Sequence, residues 1–286
     1  MKGAIIVNGY FSNEATENQT ARLVEEFNKR GVTIDILKGN EILTTIGENT
    51  DNLYPYDFII YLNKDIYQAR KLEKMGYKLF NSADAIAVCD DKMLTHLSLS
   101  GHNIKMPFTI SSPIMYSENT DDNFLQKVQE KIPYPIIVKN VYGSMGRSVF
   151  IANNYSELKA LFEKLKMYPH IYQQQVGTLG MDTRVITIGK RAVSAMCRYN
   201  PNDFRSNVEL GGTGTPVLLD DAKKTLAEEV SKVLNLDYAG IDILTDETGE
   251  YICEVNSNAF FLGMEKSTGV NIAGRSEEHT SELQSR

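Results

Sequence analysis

The chain has 286 residues, 42% of them hydrophobic and 23% charged, a globular balance that excludes a disordered or collagen-like protein. Lys and Arg number 30 against 37 Asp and Glu, and the net charge of −7 argues against a nucleic-acid or anionic-membrane surface, though a local basic pocket stays open. Three separated cysteines, Cys89, Cys197 and Cys253, imply neither a disulfide framework nor a zinc site. No apolar run reaches the ~20 residues of a membrane helix and no signal-peptide pattern opens the chain, so a soluble, cytoplasmic protein is expected.

Gly3–Val7 reads as a buried strand ending in a turn at Asn8-Gly9. Leu23, Val24 and Phe27 recur at helical spacing between residues 16 and 30, and Gly31 stops that helix. Strands follow at 32–37 and 58–62, a helix at 68–75 and a short strand at 77–80. This alternation predicts a parallel α/β layer over residues 1–105. A helix at 91–99 leads through Met106-Pro107 into a second unit, 106–274. There Tyr134–Lys139 is a strand, 140–147 a loop, 148–152 a strand and 155–166 a helix. Three strands at 171–176, 183–188 and 191–198 read as antiparallel neighbours. Ala222, Leu226, Val230, Val233 and Leu234 form the apolar stripe of a helix at 220–234. Strands at 238–244 and 250–255 are joined by a polar turn. The fold class is α/β plus α+β. Residues 275–286, RSEEHTSELQSR, look like the in-frame translation of a sequencing adapter and are set aside as a non-native tail.

Three groups of residues carry chemistry. Lys139 ends a strand and precedes Gly143-Ser144-Met145-Gly146-Arg147, where small residues let backbone N–H groups approach phosphates; taken alone, an ordinary hairpin loop stays open. Asp242 on one late strand faces Glu254 and Asn256 on the next, two residues apart and so on one face. Two carboxylates and an amide make a hard-oxygen set suited to Mg²⁺, with a solvated polar face as the alternative. Asp182, Arg184, Arg198, Arg205 and Asn207 concentrate groups that bind phosphate or carboxylate, or that make surface ion pairs. The histidines lack ligand spacing, and Cys197 and Cys253 read as small hydrophobes in apolar strands. No Gly-rich fingerprint follows the first strand, which disfavours a nicotinamide-dependent dehydrogenase.

In combination, NSADAIAVCDDKM (81–93), DFRSNVELGGT (203–213) and CEVNSNAFFLGMEKSTGVNIAG (253–274) resemble the ATP-grasp superfamily, and within it the RimK-like α-L-glutamate ligases. The resemblance implies a two-subdomain ATP-grasp fold behind the N-terminal layer, with ATP and Mg²⁺ as cofactors and Mn²⁺ as an alternative ion. It places Lys92 and Lys139 on the ATP phosphates, with Gly143, Ser144 and Gly146 in the loop above them. Gln174, Gln175 and Val176 fall at the adenine hinge and Asp182 at the ribose. Arg205, Ser206 and Asn207 lie near phosphates and acceptor, and Arg205, Asn207, Arg184 and Arg198 become the catalytic set, the last two as anion clamps. Asp242, Glu254 and Asn256 become the metal ligands.

The activity so implied is an ATP-dependent ligase forming an amide through an acyl phosphate, adding L-glutamate to a carboxylate-bearing acceptor such as a peptide or ribosomal-protein C-terminus. A homo-oligomer is compatible, and no direct nucleic-acid or membrane partner is expected. The alternatives are a ligase for another amino acid and a non-catalytic nucleotide-binding regulator. Gln174 stands where a Glu is usual, and Asn258-Ala259-Phe260 where Ser-Pro-Gly is common, on the substrate side.

Overall fold

The structure is a computed structural model that describes residues 1–47, 55–116, 123–143 and 146–284. Its first sheet is parallel, in the order β2-β1-β3-β4, from β1 (Lys2–Val7), β2 (Thr33–Lys38), β3 (Phe58–Leu62) and β4 (Leu79–Phe80). Alternation along β1 sends Ile5 to one face and Ala4 and Ile6 to the other. Helix α1 (Glu14–Lys29), capped by Asn13 Oδ1 on Thr16 N–H at 2.9 Å, covers the first face with Leu23 and Phe27. Helix α2 (Ile66–Lys74) covers the second with Ala69 and Leu72. Coverage on both faces is what a parallel sheet requires.

Two helices follow, α3 (Ala83–Asp90) and α4 (Lys92–Leu99). The first is absent from the sequence reading, because its Ala-rich segment shows little periodicity. A single residue, Asp91, ends α3 and caps α4, accepting from Met93 N at 2.9 Å and Leu94 N at 3.0 Å.

The second sheet is antiparallel, in the order β5-β8-β6-β7, from β5 (Thr109–Ser111), β6 (Ile136–Asn140), β7 (Val149–Ala152) and β8 (His170–Gln174). Helices α5 (Asn123–Lys131) and α6 (Tyr155–Leu165) pack on it through Leu125, Val128, Leu158 and Phe162. The expectation that β8 pairs with the next two strands is corrected here. Its partners are β5 and β6, and the chain then turns away through Gly177 and Gly180, both at positive φ. A Cβ on Gly177 would stand 2.6 Å from the Thr245 carbonyl oxygen, so the turn also needs the close approach that glycine permits. Strand periodicity reports burial, not the identity of the neighbour.

The third sheet, antiparallel in the order β11-β10-β9-β12-β13, comprises β9 (Met181–Ile188), β10 (Arg191–Tyr199), β11 (Thr213–Pro216), β12 (Tyr238–Asp246) and β13 (Gly249–Asn256). Helix α7 (Asp221–Val233) lies on one face, burying Ala227 and Val230, and Leu234 just beyond it, against Val185, Ile241 and Ile243. Ala222, expected on that stripe, is exposed instead: it sits in the first turn of α7, and the first buried residue of the helix is Ala227, five positions on and on a different side.

The N-terminal layer and the third sheet share a core. Ile5, Phe27 and Phe58 pack in one cluster with Ile186, Met196 and Phe261, and with Met264 of α8 (Leu262–Thr268). Buried Asn81 is the polar counterpart of this junction. Its Nδ2 donates to the carbonyls of Tyr238 (2.7 Å) and Ser257 (2.9 Å), and its Oδ1 accepts from the N–H groups of Asp237 (2.7 Å) and Tyr238 (3.0 Å). The last helix, α9 (Ile272–Gln284), runs through the segment set aside as a tail, where Glu277 pairs with Arg30 at 2.5 Å. Among the described residues no helix is long and apolar enough to cross a membrane.

Candidate nucleotide and substrate site

Two adjoining cavities lie where the three sheets meet. The smaller, of about 110 Å³, sits between the second and third sheets and is lined by Ile137, Lys139, Gln173 to Val176, Asp182, Leu244 and Cys253. The larger, of about 360 Å³, opens over the C-terminal ends of β1 and β3 and is lined by Asn8, Gln19, Asn63, Lys64, Arg147, Arg184, Asn258 and Phe260. Those ends flank the point where the strand order of the parallel sheet reverses, the usual ligand position in open α/β sheets. Asn207 and Glu254 line both cavities, so the two adjoin at these side chains.

Lys139 is buried at the end of β6, and its Nζ donates to Gln173 Oε1 at 2.6 Å. Lys139 pairs with Ile171 across the β6–β8 ladder, which makes Gln173 its diagonal neighbour on the same face. Lys92, at the first turn of α4, donates to the Gly143 carbonyl at 2.9 Å and lies 3.3 Å from Glu254 Oε1. Arg205 grips Asp203 through Nε (2.9 Å) and Nη2 (2.7 Å), and its Nη1 donates to the Gly146 carbonyl at 2.7 Å. Gly146 has φ 69°, and a Cβ there would stand 2.8 Å from Asn207 Oδ1, so this position requires glycine. Ser144, expected in the same loop, lies outside the described residues. Gln174, Gln175 and Val176 all line the smaller cavity, with the side chain of Gln174 exposed and that of Val176 buried.

Below these groups the third sheet carries alternating charges. Asp182 and Arg184 share one face of β9; Arg198 of β10 lies directly opposite Asp182, and Asp242 of β12 directly opposite Arg184. Arg198 forks onto Asp182, with Nε–Oδ1 at 2.7 Å and Nη2 to Oδ2, and the same Nη2 lies 2.9 Å from Asp242 Oδ2. Arg184 forks onto Asp242 at 2.7 and 2.8 Å, and Ser206 Oγ donates to Asp182 Oδ2 at 2.7 Å. Burial opposes the Asp242 charge, but Arg184 and Arg198 outweigh it and hold the carboxyl below its usual range. Both arginines are therefore engaged by buried carboxylates of the sheet itself, and not in the surface ion pairs the sequence offered beside the anion-clamp reading.

The residues proposed for a metal fit that task in a limited way. Asp242 and Glu254 are cross-strand partners, and Asn256 follows on the face of Glu254. The buried Nδ2 of Asn256 has no hydrogen-bond partner, and amide orientation is interchangeable, so an oxygen can occupy that place. Three guanidinium contacts use most of Asp242's lone pairs, of which a carboxylate has about four, leaving it a single-point ligand. Among the described residues no group of three His, Cys, Asp or Glu side chains gathers as a metal site. A hard ion here must complete its shell from water and phosphate oxygens, as Mg²⁺ commonly does.

Gln173 was missed in the sequence, as were Asn63 and Lys64 in the cleft, whereas Asn258, expected on the substrate side, lines the larger cavity. Cys253 departs from its reading as a mere hydrophobe: its Sγ lies 3.6 Å from Lys139 Nζ on the cavity wall, with burial pushing the thiol pKa up. His96, behind Lys139, is buried, and desolvation together with the Lys139 charge lowers its pKa from 6.5 to about 4.

A family model for the RimK-like ATP-grasp domain matches residues 89–278. The chain belongs to the RimK-like ATP-grasp family. It is 34% identical to β-citrylglutamate synthase B of Danio rerio over 82% of this chain, spanning 58% of that relative's length. It is 29% identical to a probable α-L-glutamate ligase of Stenotrophomonas maltophilia, over 95% of this chain and 97% of that one. The fold of this RimK-like protein also matches the crystal structure of a RimK-domain ATP-grasp protein from Sphaerobacter thermophilus. There the TM-score is 0.76 at 16% identity, covering 96% of this chain and 98% of the other.

Proposed function

We propose that the protein is a cytoplasmic ATP-dependent carboxylate–amine ligase that joins L-glutamate to a carboxylate acceptor. Adenine would enter the smaller cavity near Gln174 to Val176, with ribose near Asp182 and the phosphates reaching beyond it toward Lys92, Lys139, Gly143 and Gly146. Asp242, Glu254 and Asn256 would hold Mg²⁺, or Mn²⁺, which neutralises charge on the phosphates when bound. The acceptor carboxylate, in the larger cleft, attacks the γ-phosphorus and ADP leaves. The glutamate amine then attacks the acyl carbon, losing a proton as inorganic phosphate departs. Positioning and fixed charge are what such a transfer asks of a protein.

The observation that carries this reading is the wall that the two cavities share at Glu254 and Asn207. It brings the phosphate end of one pocket to the wall of a second pocket large enough for two small carboxylic acids. Glutamate is the element common to the names of the Danio and Stenotrophomonas relatives, and it is our choice of amine on that ground. A regulator that merely binds nucleotide has no use for the larger cleft.

The test is ADP release with Mg²⁺ATP across the twenty amino acids, crossed with small di- and tricarboxylic acids and with peptides ending in a free carboxylate, products being read by mass spectrometry. Glutamate-dependent turnover giving a glutamyl amide is expected, and turnover with a different amino acid alone would overturn the choice of amine. ATP binding without any amide product across the panel would favour the regulatory alternative.

A further inference from the structure

Arg198 is 2% exposed and carries three contacts to two carboxylates. Burial disfavours its charge, but Asp242 and Asp182 outweigh burial and raise its pKa. Arg184 has a simpler environment: among the described residues Asp242 is the one acid it pairs with, and its side chain opens onto the larger cleft. The two arginines thus differ in what they connect. Of the two, Arg198 touches both the acid assigned to the sugar and the acid assigned to the metal, and it does so from a strand paired to Asp182 in register.

We propose that Arg198 is a positioning residue, a buried bridge that fixes Asp182 relative to Asp242 and so couples the sugar end of the nucleotide subsite to the metal end. The inference rests on the nucleotide reading above. Two buried carboxylates left alone would repel and turn outward. A planar guanidinium holds each at a set angle, and its rigid fork transmits a displacement of one to the other. A lysine supplies the charge from one point only, so it can neutralise the pair without fixing both orientations. Because coupling is reciprocal, loss of the bridge weakens the mutual support of nucleotide and metal.

The experiment is calorimetric titration of the full chain with ADP, in EDTA and in Mg²⁺, for the wild type, R198K and R184K. In R198K, metal-free ADP binding is expected to weaken about tenfold, the worth of one charge-assisted contact, and the further gain from Mg²⁺ to shrink. In R184K only the Mg²⁺-linked gain shrinks. ADP affinities in R198K equal to wild type under both conditions would overturn the bridge, as would equal losses in the two variants. Where R198K does not unfold cooperatively, D182N carries the test, with Mn²⁺ affinity at saturating ADP read by electron paramagnetic resonance. A severalfold loss is expected there although Asp182 is not a metal ligand in this scheme, and an unchanged value overturns the coupling. A wild type that binds no ADP removes the nucleotide reading itself, whereas normal binding with unaffected variants removes the bridge alone.

Discussion

Replacing Asn81 with Ala tests what joins the N-terminal layer to the third sheet. The substitution removes four hydrogen bonds, two donated to the carbonyls of Tyr238 and Ser257 and two accepted from the N–H groups of Asp237 and Tyr238. At a net worth of about 1 kcal/mol for each neutral bond, the loss sums to about 4 kcal/mol. With a urea slope of about 2 kcal/mol/M this lowers the unfolding midpoint by roughly 2 M. The chain contains 15 Tyr and no Trp, so tyrosine fluorescence with far-ultraviolet circular dichroism is the suitable probe. Asn81→Asp is isosteric yet turns an oxygen toward two carbonyls, and it should destabilise at least as much. A midpoint shift below about 0.5 M for the alanine variant would be worth less than one bond, and would refute the idea that Asn81 clamps the junction.

Glu254→Gln keeps the shape of the shared wall and deletes the less committed of the two acids there. Turnover should fall by about 10²-fold or more with the unfolding midpoint nearly unchanged, and full activity in a folded variant would remove Glu254 from the site. Stability should also depend on pH through His96. Its folded pKa of about 4 lies below the unfolded value of 6.5, so the unfolded chain takes up the proton first. The resulting stability is whole above pH 6.5 and is lost as pH falls toward 4, by about 3 kcal/mol in all. His170, lowered mainly by desolvation, adds loss on the same side. His96→Asn should flatten this dependence in urea titrations across that window, and an unaltered slope would show that His96 does not titrate as described.

Much of the framework was legible because it depends on local pattern. The β–loop–β around Lys139 followed from an apolar run ending in glycines, and the opposition of Asp242 and Glu254 from a short polar turn. What stayed hidden depends on partners distant in sequence. The Lys139–Gln173 pair appears only when β6 and β8 are known to be neighbours. Arg184 and Arg198 read as anion clamps or surface ion pairs, not as a buried network, because nothing local says that β9 lies between β10 and β12 with an acid in register on each side. Helix α3 escaped because burial on several sides erases the amphipathic signal.

The order of strands in the third sheet has a consequence for synthesis. Lys92, Lys139 and Asp182 leave the ribosome early, but β12 must insert beside β9 and β13 must close the edge before Glu254 and Asn256 exist in place. The wall contributed by Asn258 and Phe260 comes later still and faces Asn8, some 250 positions upstream. A nascent or prematurely released chain ending before this point holds the nucleotide-side residues without the acids that complete the phosphate end. On the proposed function such fragments would be silent: partial products could not consume ATP, and activity would arrive only with the closing hairpin.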